Sequence, residues 1–175
     1  MIELDVKYTY ERYKKFYWFT LFRGKNYKRG IKIFPIVTAL MIFYVILFTV
    51  WMDNVLLRVI FSVLSIICIL FYVAAFFMPR YYVKRSPALF ETNINLIFGD
   101  ESFITTQTGD AIKGTGETKF SALWKVYETT DSFYLYHTPA QALLLSKDDF
   151  VTGTPAELRE LLQKNLEVKK YIVCK

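Results

Sequence analysis

Two long apolar runs, separated by only two polar residues, dominate the pattern of hydrophobic and polar positions along this chain. Ile33 to Met52 contains no charged residue in 20 positions, and Val55 to Met78 contains only Arg58 in 24. Because a helix rises roughly 1.5 Å per residue, about 20 residues cross a hydrocarbon core about 30 Å thick. The pattern therefore predicts two membrane-spanning helices, over 33–52 and 55–78, joined by the outer loop Asp53-Asn54.

The charge inside the second run lies near the start of the run, close to the membrane interface, where a membrane tolerates it. Arg58 is in the first turn of that run, so we expect its side chain to reach the outer interface or to pair with Asp53. We assign Asp53 and Arg58 to this outer interface, and a functional charge inside the membrane is the alternative for Arg58. A secretory signal does not explain the first run, which is too long and is followed at once by a second run.

The net charge of +6 comes entirely from the residues that precede the first run. Residues 1–32 carry nine Lys or Arg against three Asp or Glu, whereas 33–78 and 79–175 are each balanced. Since positive residues favour the inner side of a membrane, the basic residues flanking both runs place both termini in the cytoplasm. These membrane-surface residues are Arg23, Lys25, Lys28, Arg29 and Lys32 before the first run and Arg80, Lys84 and Arg85 after the second.

Aromatic side chains alternate with the basic ones in the N-terminal arm, and this changes the partner that the charge implies. Such a mixture is typical of a segment that lies at an anionic headgroup layer, so we expect the arm to contact lipid and not nucleic acid. Cys68 lies inside the second run and Cys174 is penultimate. A disulfide between them is not expected, which fits a reducing cytoplasm.

The arm itself predicts two elements. Apolar residues at every second position from Ile2 to Tyr8 indicate a short strand. Thr9 can then cap a helix from Tyr10 to about Phe22, because its hydroxyl can accept from the free N–H groups of the first turn. We expect this largely aromatic helix to lie against the membrane surface, and Gly24 and Gly30 to break the helical pattern before the first span.

Past Pro79 the continuous apolar pattern gives way to short alternating segments rich in Thr, Gly and Asp. Pro79 and Pro87 bracket a short basic exit from the second run, and the alternation beyond them predicts an antiparallel β meander. The predicted strands are Thr92–Phe98, Ser102–Thr108, Ala111–Lys113, Lys119–Glu128, Ser132–His137 and Gln141–Ser146. The predicted turns are Gly99-Asp100, Gly109-Asp110, Gly114-Thr115-Gly116, Thr130-Asp131 and Thr138-Pro139.

A final helix over 155–170 has an explicit start signal. Thr154, Pro155 and Glu157 form a capping box, in which the Thr and Glu side chains each satisfy a free backbone N–H group. Leucines at helical spacing then form one apolar stripe, which we expect to pack on the sheet. The chain is thus predicted to be an α+β membrane protein with a basic arm (1–32), a transmembrane α-helical hairpin (33–78) and a small cytoplasmic β-rich domain (79–175) closed by the C-terminal helix.

The residues that carry chemistry elsewhere do not form a catalytic or metal-binding set in this sequence. His137 is the only histidine and has no second ligand at metal-binding spacing. Asp148 and Asp149 are adjacent, so we expect them to lead into a turn and not to act as an acid–base pair. Trp124 is expected in the core, and Ser62 and Ser65 are expected to bond within their own helix. We expect no enzyme activity, no cofactor and no metal.

The order of elements and several short motifs resemble the YcxB-like family of bacterial membrane proteins. The resemblance covers nearly the whole chain and implies an inner-membrane protein whose cytoplasmic part has a pleckstrin-homology-like fold, with no established catalytic residues. Ser146 and Asp148 depart from the Pro and the basic residue common in the family. Pairing of strand Ile2–Tyr8 with the cytoplasmic sheet is left open. The motifs are Thr9-Tyr10-Glu11-Arg12-Tyr13, Phe98-Gly99-Asp100-Glu101, Phe120-Ser121-Ala122-Leu123-Trp124-Lys125-Val126-Tyr127-Glu128, Asp131-Ser132-Phe133-Tyr134-Leu135-Tyr136 and Lys147-Asp148-Asp149-Phe150.

Three classes of function remain open at this point. The cytoplasmic domain can act as a binding module for a protein or a lipid headgroup, through a sheet edge or the loop Gly109–Gly116. Alternatively, the hairpin packs with other spans, as an accessory or assembly subunit of a transporter or envelope complex, or with a second copy of the chain. An immunity or resistance protein is the third possibility.

Overall fold

The computed structural model describes residues 1–23, 27–51 and 54–174, which form an α+β protein with two long apolar helices. The helices are α1 (Tyr10–Leu21), α2 (Tyr27–Trp51), α3 (Val55–Arg85), α4 (Pro87–Glu91) and α5 (Pro155–Asn165). The strands are β1 (Ile2–Lys7), β2 (Asn93–Phe98), β3 (Ser102–Thr108), β4 (Lys113–Lys119), β5 (Lys125–Glu128), β6 (Ser132–Tyr136), β7 (Ala142–Ser146), β8 (Phe150–Thr152) and β9 (Tyr171–Val173).

The strands form two sheets, where the sequence predicted one meander. The first sheet has the order β4-β3-β2-β1-β8, and the second sheet has the order β7-β6-β5-β9. Neighbouring strands are antiparallel, except that β9 runs parallel to β5. The prediction of a single meander is wrong because Phe120 and Leu123, both 1% exposed, turn the chain into the core between β4 and β5.

The N-terminal strand, whose pairing the sequence left open, is an interior strand of the first sheet. Its partners in β2 run from Ile2 opposite Phe98 to Lys7 opposite Asn93, and β8 pairs along its other edge. Leu4 and Val6 point into the core and are 0% exposed. The sheet is therefore completed by a segment from before the two long helices.

One hydrophobic core joins both sheets, α1 and α5. Phe19 of α1 is fully buried, with its ring centroid 4.7 Å from that of Tyr134 and 5.4 Å from that of Tyr127. One face of α1 thus packs on the second sheet, while Leu21 at its end is exposed. The N-cap at Thr9 is confirmed, since its hydroxyl accepts from the Arg12 N–H at 3.3 Å.

The capping box that opens α5 is confirmed, but the helix ends earlier than predicted. Thr154 and Glu157 exchange two hydrogen bonds of 3.2 Å between side chain and backbone. Leu158 and Leu162 are fully buried, so the leucine stripe packs into the core. The helix stops at Asn165 and not at 170, because the following residues turn to form β9, whose Tyr171 and Ile172 pack against the core.

The two long helices correspond to the predicted spans but extend beyond them. Helix α2 begins at Tyr27 and contains Gly30, which was expected to break it. A Cβ on Gly30 would lie 2.7 Å from the Phe22 ring, so glycine permits the close approach of α1 and α2. Helix α3 continues through Pro79 to Arg85, so the basic exit between Pro79 and Pro87 is helical for most of its length.

Both long helices are exposed along their apolar stretches. Lys28–Leu47 and Val55–Arg85 are long and apolar enough to cross a membrane, and 0% of the most apolar window in either is buried. Ser62 and Ser65 donate to the carbonyls of Arg58 and Phe61 at 2.8 and 2.5 Å, as predicted. In the part of the chain that the structure describes, the two helices contact each other, but no residue in either apolar window is buried.

Three β-region predictions are corrected by the structure. Lys113 of the predicted strand 111–113 and the predicted turn Gly114-Thr115-Gly116 instead belong to one strand, β4, which pairs with β3 along its whole length. Ala111 and Ile112 precede this strand. The predicted strand Lys119–Glu128 is interrupted by a 3-10 turn at Phe120–Ala122. The short strands β8 and β9 were not predicted.

Candidate functional site

Helix α1, the start of α2 and the end of α3 meet at one place, which we call the junction. The rings of Tyr13 and Tyr82 stack with centroids 4.8 Å apart, and the Arg80 Nε donates to the Tyr10 hydroxyl at 3.3 Å. Deeper in the hairpin, the ring of Phe34 packs between those of Trp18 and Tyr72, at 6.1 and 5.4 Å. These contacts connect the long helices directly to the folded domain.

Two of the basic residues that sequence analysis assigned to a membrane surface, half-buried Arg23 and exposed Lys28, contact the domain. The Arg23 guanidinium lies 4.4 Å from the Tyr136 ring centroid and donates to the Pro139 carbonyl at 3.0 Å. Lys28 Nζ donates to the Thr130 hydroxyl at 2.8 Å. Such contacts position the start of α2 relative to the second sheet.

The other assigned residues are exposed or lie outside the described part of the chain. Arg29, Lys32 and Lys84 are exposed on the helices around the junction. Arg85 is also exposed, and it donates to the Tyr81 hydroxyl at 3.0 Å. Arg58 is exposed in the first turn of α3. Lys25 and Asp53 lie outside the described residues.

The start of α3 is capped by a residue that sequence analysis passed over. Asn54 Oδ1 accepts from the backbone N–H groups of Leu56 and Leu57, at 3.0 and 3.4 Å. An Asn immediately before a helical apolar run is a recognisable N-cap, so the signal was present in the sequence.

A cleft runs between α1 and the turns that connect β5 to β6 and β7 to β8. It consists of two cavities of about 300 and 270 Å³, and we call it the α1 cleft. Both cavities are lined by Lys15, Asp131, Ser132 and Tyr134. Trp18 of α1 and Ile31 of α2 line the cavity nearer to the long helices. The cleft therefore opens beside the start of the first apolar helix.

An ion pair fixes α1 across the wall of this cleft. Arg12 NH2 lies 2.7 Å from Asp149 Oδ1, and Arg12 NH1 donates to Oδ2 at 3.0 Å. Asp149 is 8% exposed and also accepts from the Ser146 N–H at 2.9 Å, which closes the turn after β7. The predicted turn at Asp148-Asp149 is thus present, and the Asp149 carboxylate holds both the turn and α1.

A buried carboxylate next to the cleft ties the C-terminal elements to the second sheet. Glu128 is 2% exposed and accepts from Lys147 at 2.7 Å, from Arg159 Nε at 2.9 Å and from the Tyr171 hydroxyl at 2.6 Å. Burial alone raises the pKa of Glu128, but the hydrogen bonds from Arg159, Lys147 and Tyr171 outweigh it and lower the pKa to about 2. Burial raises the pKa of the Tyr171 hydroxyl, and the hydrogen bond to the negatively charged Glu128 carboxylate raises it further.

Sequence analysis missed the Glu128 cluster because its members are far apart in the chain. The partners of Glu128 follow it by 19, 31 and 43 residues, and no local motif connects them. Trp124 was expected in the core and is half-buried, with the Lys125 ammonium 4.8 Å from its ring centroid. His137 is half-buried beside Phe103, and this burial lowers the pKa of its imidazole.

Within 1–23, 27–51 and 54–174, no group of three or more His, Cys, Asp or Glu side chains is arranged to hold a metal ion. The charged groups with the most extensive contacts there, Glu128 and Asp149, bind other side chains of the domain. What the arrangement offers chemically is a polar cleft and an exposed basic surface beside two apolar helices.

The fold and the site define an α+β protein that carries two helices long and apolar enough to span a membrane. The family model described as YcxB-like protein matches residues 98–163, from the end of β2 to within α5. The resemblance inferred from the sequence is confirmed over this stretch. No curated protein and no solved structure shows a significant match to the chain.

Proposed function

We propose that this protein is a membrane-tethered binding module. In this proposal α2 and α3 span the inner membrane of a bacterial cell, both termini lie in the cytoplasm, and the folded domain binds a protein or a lipid headgroup. The main support is the pairing of β1, which precedes α2, with β2, which follows α3. Because these strands share one sheet, the segments before and after the hairpin lie on the same side of any membrane that the hairpin spans.

The exposed surfaces support the membrane part of the proposal. The apolar windows of α2 and α3 are uncovered by protein, and water is a poor solvent for two such helices. The exposed basic residues Arg29, Lys32 and Lys84 surround the junction, where the first apolar stretch begins and the second helix returns. Exposed basic residues at this level are attracted to anionic headgroups, and the positive-inside tendency supports a cytoplasmic position for the domain.

We propose a pleckstrin-homology-like fold for the domain, and the support is that two mainly antiparallel sheets share one core with α5. Its charged core groups support binding over catalysis. Glu128 and Asp149 bind Lys147, Arg159 and Arg12, so they are engaged in holding the fold. The edge strand β4 is exposed along most of its length and pairs on one side with β3. Such an edge can accept an extended peptide from a protein partner.

Membrane insertion and topology are tested on the full-length protein in native cells. We expect the protein to remain in the membrane fraction after alkaline carbonate extraction. Of two reporters fused after Lys175, we expect the one that works only in the cytoplasm to be active and the one that works only outside it to be inactive. Release by carbonate would contradict insertion, and a reporter active only outside the cytoplasm would contradict the orientation.

Binding through the β4 edge is tested by a detergent-solubilised pull-down with wild-type protein and a Thr115→Pro variant. Proline removes a backbone donor from this edge, so a partner bound by strand pairing should be lost. The matched control is Thr108→Ala, which leaves the β4 backbone unchanged. Equal recovery of the partner by the wild-type protein and Thr115→Pro would argue against the edge.

An assembly role for the hairpin is the second candidate. A gap of about 300 Å³ between α2 and α3 is lined mainly by apolar residues, with Thr38, Ser65 and Cys68 among them. A side chain of another span could fill this gap, as expected for an accessory subunit of a transporter or envelope complex or for a homo-oligomer. In that case the hairpin 27–85 alone should recover the partners, whereas the module proposal requires the folded domain.

A further inference from the structure

The α1 cleft combines a polar interior with an apolar flank next to the first long helix. Trp18 and Ile31 line the cavity nearer to that helix, and Ile31 belongs to the stretch that is apolar enough to span a membrane. The other cavity is lined by the polar turns around Thr130 and Asp148. A molecule that fills both cavities therefore needs a polar head and an apolar continuation toward α2.

The charges of the cleft favour a head that carries both signs. Arg12 and Lys147 also line it, but they are engaged by Asp149 and Glu128. The remaining charged side chains that line the cleft are Lys14 and Lys15 on one hand and Glu11, Asp131 and Asp148 on the other. Lys28 lies beside the lining, where its ammonium donates to the Thr130 hydroxyl. A purely anionic head would meet these carboxylates without any positive group of its own to satisfy them.

One loose ion pair lies at the boundary between the two cavities. Lys15 Nζ is 3.6 Å from Asp131 Oδ2, and the two side chains are 65% and 63% exposed. An exposed pair at this separation contributes little to stability, so a ligand can replace it at low cost. A phosphate placed against Lys15 and an ammonium placed against Asp131 would replace this contact by two charge-assisted hydrogen bonds.

We infer that the α1 cleft binds the headgroup of a zwitterionic phospholipid with a primary ammonium, of the phosphoethanolamine kind. The phosphate lies toward Lys15 and Lys28, the ammonium donates to Asp131, and the glycerol end leaves past Trp18 toward the bilayer. A trimethylammonium head fits less well because it has no N–H to donate to Asp131. The inference rests on the proposed function only in requiring α2 to lie in a membrane.

The experiment uses full-length protein in detergent and native mass spectrometry, with short-chain phosphatidylethanolamine, phosphatidylglycerol and phosphatidylcholine as probes. We expect phosphatidylethanolamine to bind at least about tenfold more tightly than the other two, which is the effect of one charge-assisted hydrogen bond. Glycerophosphoethanolamine, which has the headgroup without acyl chains, should compete with the lipid for binding.

Variants assign the preference to the cleft. Lys15→Ala should weaken binding of phosphatidylethanolamine and phosphatidylglycerol alike, because both have the phosphate. Asp131→Asn should weaken phosphatidylethanolamine by about tenfold and leave phosphatidylglycerol unchanged. The matched control is the double variant Glu160→Gln/Lys164→Ala. It changes two exposed charged residues of α5 away from the cleft and should leave lipid binding unchanged. The substituted side chains at Lys15 and Asp131 are largely exposed, so these variants should fold.

Each outcome has a defined meaning. Equal binding of the three lipids, or an Asp131→Asn protein with unchanged lipid preference, would overturn the inference. Binding of glycerophosphoethanolamine without binding of the lipid would identify a soluble ligand and overturn the lipid source. A protein that stays in the membrane after carbonate extraction but has no preference among lipids would refute only this inference, whereas release by carbonate would refute the proposed function.

Discussion

Replacing Glu128 by Gln tests whether the buried carboxylate holds the C-terminal elements on the second sheet. The change keeps the size of the side chain and removes the charge that Lys147, Arg159 and Tyr171 bind. The amide N–H₂ group of glutamine cannot accept a hydrogen bond, so it cannot replace the carboxylate oxygen that accepts from these donors. We expect the variant to fold with a lower free energy of unfolding.

The magnitude follows from the pKa of Glu128, which the fold lowers from 4.5 to about 2. At about 1.4 kcal/mol per unit, this corresponds to roughly 3 kcal/mol of stability for the ionised form. The Glu128 side chain is 3% exposed, but that of Arg159 is 42% exposed, so solvent screens part of the interaction. We therefore expect Glu128→Gln to lower the free energy of unfolding by about 2 to 3 kcal/mol at pH 7.

The sign of the pH dependence gives a second readout. Because the pKa of Glu128 is lower in the folded state, its contribution is complete above pH 4.5 and disappears as the pH falls toward 2. The difference between wild type and Glu128→Gln should shrink over this range. Stability is measured by urea unfolding of the detergent-solubilised full-length protein, followed by near-ultraviolet circular dichroism.

The control is Glu160→Gln, which removes a charge from the exposed face of α5 and should change stability by less than about 0.5 kcal/mol. If Glu128→Gln is as stable as the control at pH 7, or loses stability in acid as steeply as the wild type, the assigned role of Glu128 is wrong.

Three further predictions concern how the arm and the domain depend on each other. Residues 79–174 expressed alone should lack the cooperative unfolding transition of the full-length protein, because β1 is missing between β2 and β8. A fragment that folds cooperatively would contradict the observed strand order. Phe19→Ala should lower the free energy of unfolding by about 3 to 5 kcal/mol, since this ring is fully buried between α1 and the second sheet, whereas Leu21→Ala at the exposed end should cost far less. Arg12→Met should lower the free energy of unfolding by about 1.5 to 3 kcal/mol in the same assay. In an Asp149→Asn background the same change should cost clearly less, because the ion pair between Arg12 and Asp149 is already lost. Equal costs in both backgrounds would refute the coupling.

Local signals were the part of the fold that the sequence could predict. The caps at Thr9 and Thr154 and the strand Ser102–Thr108 depend on neighbouring residues, and the structure confirms them. Strand β4 was mistaken for a turn because its sequence, Lys113–Lys119, contains two glycines and no apolar alternation; its pairing with β3 defines it. Pairing over long separations has no local signal.

The same distinction applies to the candidate site. Sequence analysis found the basic residues around the two apolar runs, because charge and hydropathy can be read position by position. It did not find that Arg23 lies on Tyr136 or that Lys15 approaches Asp131, since both contacts depend on α1 packing against the second sheet. Only the fold brings together residues more than 100 positions apart.

The interior position of β1 has a consequence for how the protein is made. Strand β1 is synthesised before both long helices, yet it cannot pair with β2 until β2, which follows those helices, has been synthesised. With the hairpin in a bilayer, as proposed, β1 and β2 can pair only after α3 has crossed the bilayer and β2 lies on the same side as β1. A chain whose second helix fails to insert leaves β1 and β2 on opposite sides of the bilayer. If the hairpin inserts as proposed, the first sheet can therefore be completed only in the correct topology, and a wrongly inserted chain would expose the unpaired edges of β1 and β2.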